Sequence, residues 1–297
     1  MKHDAFSSFH PLVGFLYFLL VLLLSMFFFN PVCLVVSLFS AVTYAIYLGG
    51  TKTARFQLRV LLPLMLLTAV LNPVFNHEGA TILTYLPNGN PLTLEAIAYG
   101  AAASVMLAAV VTWFFCLNQV MTSDKFIYLF GRIIPALSLL LSMTLRFVPR
   151  FSAQMKAVAA ARRAACPAQE GRNLLQKAKQ GLAVFSITVT WALENSIETA
   201  DSMKCRGYGL SGRTAYSIYR LTPRDLVALA VLFAAGAYVV LGSALGGISF
   251  QYYPVLSGRL TGAYSISIFF CYLLLCLLPM LINVCEDLKW NSLTSAI

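Results

Sequence analysis

The chain has 297 residues, of which 59% are hydrophobic and 11% charged, with a formal net charge of +10 and a mean hydropathy of +0.78. A soluble core cannot hide that much apolar surface, so the composition excludes an ordinary globular protein and points to several membrane spans. The fold class expected is all-α, a polytopic membrane protein with five or six transmembrane helices and a cytoplasmic helical domain.

In chain order, the apolar runs are read against the length needed to cross a bilayer, about 18 residues without charge. Residues 12–29 are uncharged, Asn30-Pro31 makes a turn, and residues 31–50 are uncharged again, which predicts two spans in a tight hairpin. The first segment is too long for a signal h-region and has no small-residue cleavage site, so it is expected to be retained. A basic stretch with Lys52, Arg55 and Arg59 precedes a shorter third run, 60–75, that carries Pro63 and Pro73. Residues 96–120, 226–246 and 260–285 complete the set. At the end of the fifth run, Gly242-Ser243-Ala244-Leu245-Gly246 is either a close-packing surface for a neighbouring helix or a flexible span end.

Sidedness follows from where the basic residues lie. Of the 21 Lys and Arg, 15 fall in residues 119–225; the 76–94 loop has none and the 247–259 loop only Arg259. The central segment is therefore expected on the cytoplasmic side, as are both termini if six spans form, with Lys289 and Trp290 anchoring the last span at the interface. Membrane sidedness accounts for the charge, so nucleic acid is not expected as a partner.

The domain reading is residues 1–120 for the N-terminal spans, 121–225 for a cytoplasmic domain and 226–297 for the C-terminal spans. Residues 121–225 are too polar to span yet show helical periodicity. A helix over about 137–166 contains Arg146, Phe147 and Pro149, carries Arg162-Arg163 in an alanine-rich end, and stops at Cys166-Pro167, because proline disfavours helix in the residue before it. A second helix over about 182–206 aligns Leu182, Phe185, Val189, Leu193, Ser196, Ala200 and Met203 on one stripe. Glycine at Gly207 can take the left-handed conformation that closes a helix. Arg206 would then sit at the negative end of the helix dipole, its guanidinium held outward. From physics alone, arginines at two helix ends serve equally as a paired contact device or as anchors on lipid headgroups.

The segment Ala200-Asp201-Ser202-Met203-Lys204-Cys205-Arg206-Gly207-Tyr208-Gly209, followed by Gly212-Arg213-Thr214, resembles the second Ala-Arg-Gly signature of the transmembrane T component of energy-coupling-factor transporters. Residues 144–149, with Leu145-Arg146-Phe147-Val148-Pro149, resemble the Leu-Arg-Phe-Ile-Pro element that precedes the family's first signature. The second signature departs by Cys205 for alanine, small for small, with Arg206 and Gly207 in place. The first is poorer: Ala161-Arg162-Arg163-Ala164 lacks the following glycine, and either arginine can be the equivalent, with Arg162 preferred.

The resemblance implies a scaffold whose two arginine-tipped coupling helices dock on a pair of cytoplasmic ABC ATPases, and whose membrane part holds a substrate-binding S component for a vitamin or transition-metal ion. It implies Arg162 or Arg163 together with Cys205, Arg206 and Gly207 as the ATPase-coupling residues, and Arg146, Phe147 and Pro149 as structural residues of the coupling domain. It also implies a multi-pass protein of the prokaryotic plasma membrane.

Competing chemistries find little support. Gly207-Tyr208-Gly209-Leu210-Ser211-Gly212 fits GxGxxG but follows a helix rather than a strand, and no GxxxxGK[ST] occurs, so ATP hydrolysis is expected of a partner and not of this chain. The seven cysteines form no CxxC pair, His10 and His77 read as interfacial residues, and neither metal nor cofactor is expected. Only Glu95 approaches a span, which argues against a self-sufficient secondary transporter with ion coupling. A permease of another ABC importer is the nearest alternative; one coupling helix per chain would be expected of it.

Overall fold

A computed structural model describes residues 4–85, 91–131, 135–165, 174–210, 219–258 and 262–294. The elements are α1 (Pro11–Phe27), α2 (Pro31–Phe75), β1 (Ile82–Tyr85), β2 (Pro91–Thr93), α3 (Leu94–Val120), α4 (Ser123–Gly131), α5 (Pro135–Ala165), α6 (Leu174–Cys205), α7 (Pro223–Ala244), β3 (Phe250–Gln251), β4 (Ser257–Gly258) and α8 (Ala263–Thr294), with a 3-10 turn at Phe6–Ser8 before α1. The protein is an all-α, multi-pass membrane protein. Among the described residues, five helical segments are long and apolar enough to cross a bilayer: Pro31–Gly50, Thr53–Phe75, Leu94–Val120, Pro223–Ala244 and Ala263–Trp290.

Several bounds differ from those expected of the sequence. The first run stops at Phe27, because Asn30 accepts the Val32 amide at 3.0 Å and caps α2, with Pro31 at its first position. At 1.5 Å per residue its 17 residues reach only about 25 Å, short of a hydrocarbon core of about 30 Å. The second and third runs form a single element broken at Gly50, whose φ of 69° and ψ of −175° suit glycine alone. The third span starts at Thr53, so it includes Arg55 and Arg59, whose long stems let the charge reach the interface. The last helix starts at Ala263; residues 259–261 lie outside the described set.

The chain divides into two compact units, Met1–Lys125 with Tyr219–Ile297, and Phe126–Ile218. In the first, α2 packs along α3, α1 lies against α3 and α7, and α8 touches α2 and α7. Tyr17, Phe18, Tyr44, Trp113 and Tyr272 form the buried aromatic centre. Several polar groups of this core pair with one another or with backbone. Ser37 accepts from the Trp113 indole at 3.0 Å and shares a hydrogen bond with Ser25 at 2.7 Å, and the Tyr17 hydroxyl donates to the Cys276 carbonyl at 3.0 Å. Gly242 is buried against Ile268 of α8, so the close-packing surface at the end of α7 meets a helix of its own chain.

Two short antiparallel hairpins, β1–β2 and β3–β4, occupy the loops poor in basic residues and were not anticipated from the sequence. Their loops are tied by the Ala80 amide donating to the Pro254 carbonyl and by Asn76 Nδ2 donating to the Tyr253 hydroxyl. Glu95 is buried there as a structural acceptor from the Thr81 amide and hydroxyl.

In the second unit α5 and α6 pack side by side. Phe151 sits edge-on to Trp191 at 5.9 Å and stacks on Phe147 at 5.6 Å, while the Arg150 guanidinium lies 5.5 Å from the Trp191 ring. Thr188 is buried and Trp191 half-buried, which turns the packed face of α6 away from the expected stripe. Leu182, Phe185, Val189 and Leu193 are 69%, 57%, 38% and 64% exposed. The stripe is real as a pattern, but it is an outer face of this unit.

Close approach at one glycine and open space at another give opposite expectations. A Cβ on Gly100 would lie 2.9 Å from the Ala69 carbonyl oxygen, backbone that cannot rotate away. Gly100→Ala is expected to destabilise the protein by about 1–3 kcal/mol, the usual cost of overpacking. Gly181 in α6 has nothing within 4 Å, so Gly181→Ala should be neutral or stabilising by up to about 1 kcal/mol. Reversible unfolding in detergent measures both, and equal effects would contradict the packing described.

Candidate functional site

The end of α6 is closed by its own backbone. The Tyr208 amide donates to the Met203 carbonyl at 3.0 Å and the Gly207 amide to the Lys204 carbonyl at 2.9 Å, with Gly207 at φ 76°. These two bonds are a Schellman motif, which a residue with a Cβ would strain. Arg206 is thereby the C-cap residue, its amide shared between the Ser202 and Met203 carbonyls at 3.2 and 3.1 Å. Its side chain is exposed, as is the neighbouring Cys205 thiol. Lys204 and Asp201 form an exposed pair at 3.8 Å on the preceding turn, of the kind worth little in water. Ser211 to Thr214, which complete the signature, lie outside the described residues.

Arg162 and Arg163 occupy the last turn of α5, where positive charge complements the helix dipole. Arg162 is half-buried and its Nη1 donates to the Gln180 carbonyl of α6 at 3.5 Å, a long and weak bond. Arg163 is exposed. Cys166 and Pro167 lie outside the described residues. Among the three structural candidates, Phe147 is half-buried in the aromatic seam, whereas Arg146 and Pro149 are exposed on α5.

The structure does not bring the arginine pairs together. Arg162 reaches α6 at Gln180, and the 26 residues of helix and cap from there to Arg206 span about 39 Å at 1.5 Å per residue. The hairpin thus carries basic side chains at two separate points, each at the carbonyl end of a long helix. No single ligand of ordinary size bridges them.

A second cluster was not foreseen from the sequence. Residues 4–10 run across one end of the first unit. Asp4 accepts from Asn283 Nδ2 at 2.6 Å and from the Tyr44 hydroxyl at 3.3 Å, and the Phe6 amide donates to Asn283 Oδ1 at 3.2 Å. Lys125 is buried, with Nζ 2.7 Å from the Ser7 carbonyl oxygen and 2.9 Å from that of Val120, the last residue of α3. The His10 amide donates to Asp225 Oδ1 at 3.2 Å, and the other Asp225 oxygen accepts from the Thr222 amide and hydroxyl at 2.9 and 2.7 Å. The Arg224 guanidinium lies 4.2 Å from the Phe9 ring and bonds Glu286 at 3.0 Å. The Thr222-Pro223-Arg224-Asp225 sequence is a helix-start signature, and it was the legible signal for this end of α7.

Burial pushes the Lys125 ammonium below its usual range, with Asp4 opposing. His10 likewise falls below its usual range through burial, with Asp225 opposing.

No protein-family model and no curated protein matches the chain. What the arrangement can do is therefore argued from its residues. Among the described residues, no group of three His, Cys, Asp or Glu could hold a metal ion.

His10 gives the cluster a pH dependence of known sign. Its native state prefers the neutral imidazole, so below about pH 6.5 the unfolded chain binds the proton more readily and stability falls as pH drops. The unfolding midpoint should decline between about pH 7.5 and 5.5, and His10→Asn, which retains a capping acceptor, should flatten that decline. An unchanged slope in the variant would show that the burial of His10 plays no part.

Proposed function

We propose that the protein is the transmembrane T component of an energy-coupling-factor importer, a scaffold that couples ATP hydrolysis by two cytoplasmic ABC ATPases to substrate release by a membrane-embedded S component. The observation that carries the reading is Arg206: an exposed arginine at the C-cap of a 32-residue helix, fixed by a Schellman motif on Gly207. A guanidinium held at a rigid tip suits bidentate contact with carboxylates or carbonyls in a partner's groove. A second basic tip one helix length away suits two ATPases rather than one. At the α5 end, Arg163 is the contacting side chain and Arg162 positions the tip against α6, a reversal of the preference from sequence. The basic hairpin lies on the cytoplasmic side of a prokaryotic plasma membrane, the substrate is a vitamin or transition-metal ion, and the nucleotide chemistry belongs to the partners.

Arg206→Ala, and the pair Arg162→Ala/Arg163→Ala, should abolish ATP-dependent uptake while the protein remains folded and inserted. Substitutions at exposed positions such as Arg206 and Arg163 change stability by about 0.5 kcal/mol or less, and Arg162, half-buried with one long bond to Gln180, adds little to that. Loss of a paired contact in a partner groove costs about 2–5 kcal/mol of binding. Uptake at the wild-type rate with all three arginines replaced would overturn the coupling assignment in favour of headgroup anchoring.

A further inference from the structure

The second unit begins at Phe126 and ends at Ile218, so the chain leaves the first unit just after Lys125 and returns just before Tyr219. Both points are held by the same short segment, residues 4–10. On the way out, Lys125 Nζ bonds the Ser7 carbonyl and the carbonyl that ends α3. On the way back, the Tyr219 ring lies 6.5 Å from the His10 ring, Arg224 covers Phe9, and Asp225 accepts the His10 amide. The far end of the segment is fastened to the bundle through Asp4, bonded to Tyr44 of α2 and Asn283 of α8.

We infer that residues 4–10 form a hinge clamp, which ties the outgoing and returning connections of the second unit to one another and to the transmembrane bundle. Two separate connections each swing about their own backbone torsions; two connections bonded to one shared segment move only if its bonds break together. The Lys125–Val120 and His10–Asp225 contacts are buried and those at Ser7 and Asp4 part-buried, where an unpaired donor or acceptor is costly and partial opening is disfavoured. The clamp sets how far the second unit moves relative to the bundle, and it acts on the chain alone, independently of any ATPase or S component.

The test measures a distance distribution between spin labels on the full chain in lipid nanodiscs. Cys205 in the second unit and Cys285 in the first are exposed, whereas Cys33, Cys116 and Cys276 are buried; Cys166→Ser and Cys271→Ala remove the other two thiols. His10→Pro deletes the amide that Asp225 accepts, at a residue whose φ of −54° proline adopts. His10→Asn keeps that amide and supplies a good N-cap in place of the imidazole. The clamp predicts that His10→Pro broadens the distribution, adding separations absent from the wild type, and that His10→Asn does not. Lys125→Met, which removes both bonds on the outgoing side, should broaden it as well. Distributions in His10→Pro and Lys125→Met that superimpose on the wild type would overturn the inference. Should either substitution prevent insertion, hydrogen exchange on the wild-type chain decides the same question. Amides of 7–10, 122–126, 222 and 224–226 should be protected together; free exchange of 7–10 beside protected connections would overturn it.

Discussion

Lys125 places an ammonium in a site that is 8% exposed, and that placement constrains one whole end of the protein. A buried cation is tolerated only where its protons find acceptors. The Val120 carbonyl offers one because α3 ends there and leaves it unpaired, while the Ser7 carbonyl is available only when residues 4–10 lie across the bundle. The exit of α3, the course of the N-terminal segment and the start of α4 therefore stand or fall together. Asp225 repeats the arrangement with opposite charge: it caps α7 through Thr222 and reaches the same segment through the His10 amide.

The two units obey different physics. The first buries aromatic rings and small polar side chains against one another and turns apolar side chains outward, as at Leu66, Val70 and Phe233, which suits lipid as the surrounding medium. The second joins two long helices through a narrow aromatic seam and leaves Leu182, Phe185 and Leu193 uncovered beside exposed Glu194, Glu198 and Lys204. Its stiffness resides in helix length and, at the end of α6, in the cap on Gly207. That makes it suited to carrying side chains at its tips rather than to enclosing a ligand.

Much of the fold was legible because bilayer thickness imposes a simple length rule, and runs such as 96–120 obey it without proline or charge. The end of the second span at Gly50 was legible from the charge that follows it, whereas the helical course of the basic stretch with Lys52, Arg55 and Arg59 was not, since such a stretch reads equally as a loop. The closure of α6 at Gly207 could be read from one residue type in one position, because positive φ leaves few alternatives. The apolar stripe of α6 was legible as a pattern but its surroundings were not: periodicity marks an apolar face but not what covers it, and here Trp191, outside the stripe, meets Phe151 of α5. The cluster between Asp4 and His10 was invisible because its bonds join residues far apart in the chain, and many of them run through backbone atoms that carry no sequence signal. Lys125 looked like one more basic residue in a basic segment.

If this chain works as the coupling scaffold of a larger ATP-driven importer, its companions must show it. The decisive measurement is mass spectrometry of the proteins that co-purify with the tagged chain from its native membrane, with and without the three tip arginines. A coupling scaffold should bring down two copies' worth of ABC ATPase and one small membrane protein, with the ATPases lost and the membrane companion retained when Arg162, Arg163 and Arg206 are alanine. A chain that purifies without any ATPase, or that keeps its ATPases undiminished after all three substitutions, would contradict that role.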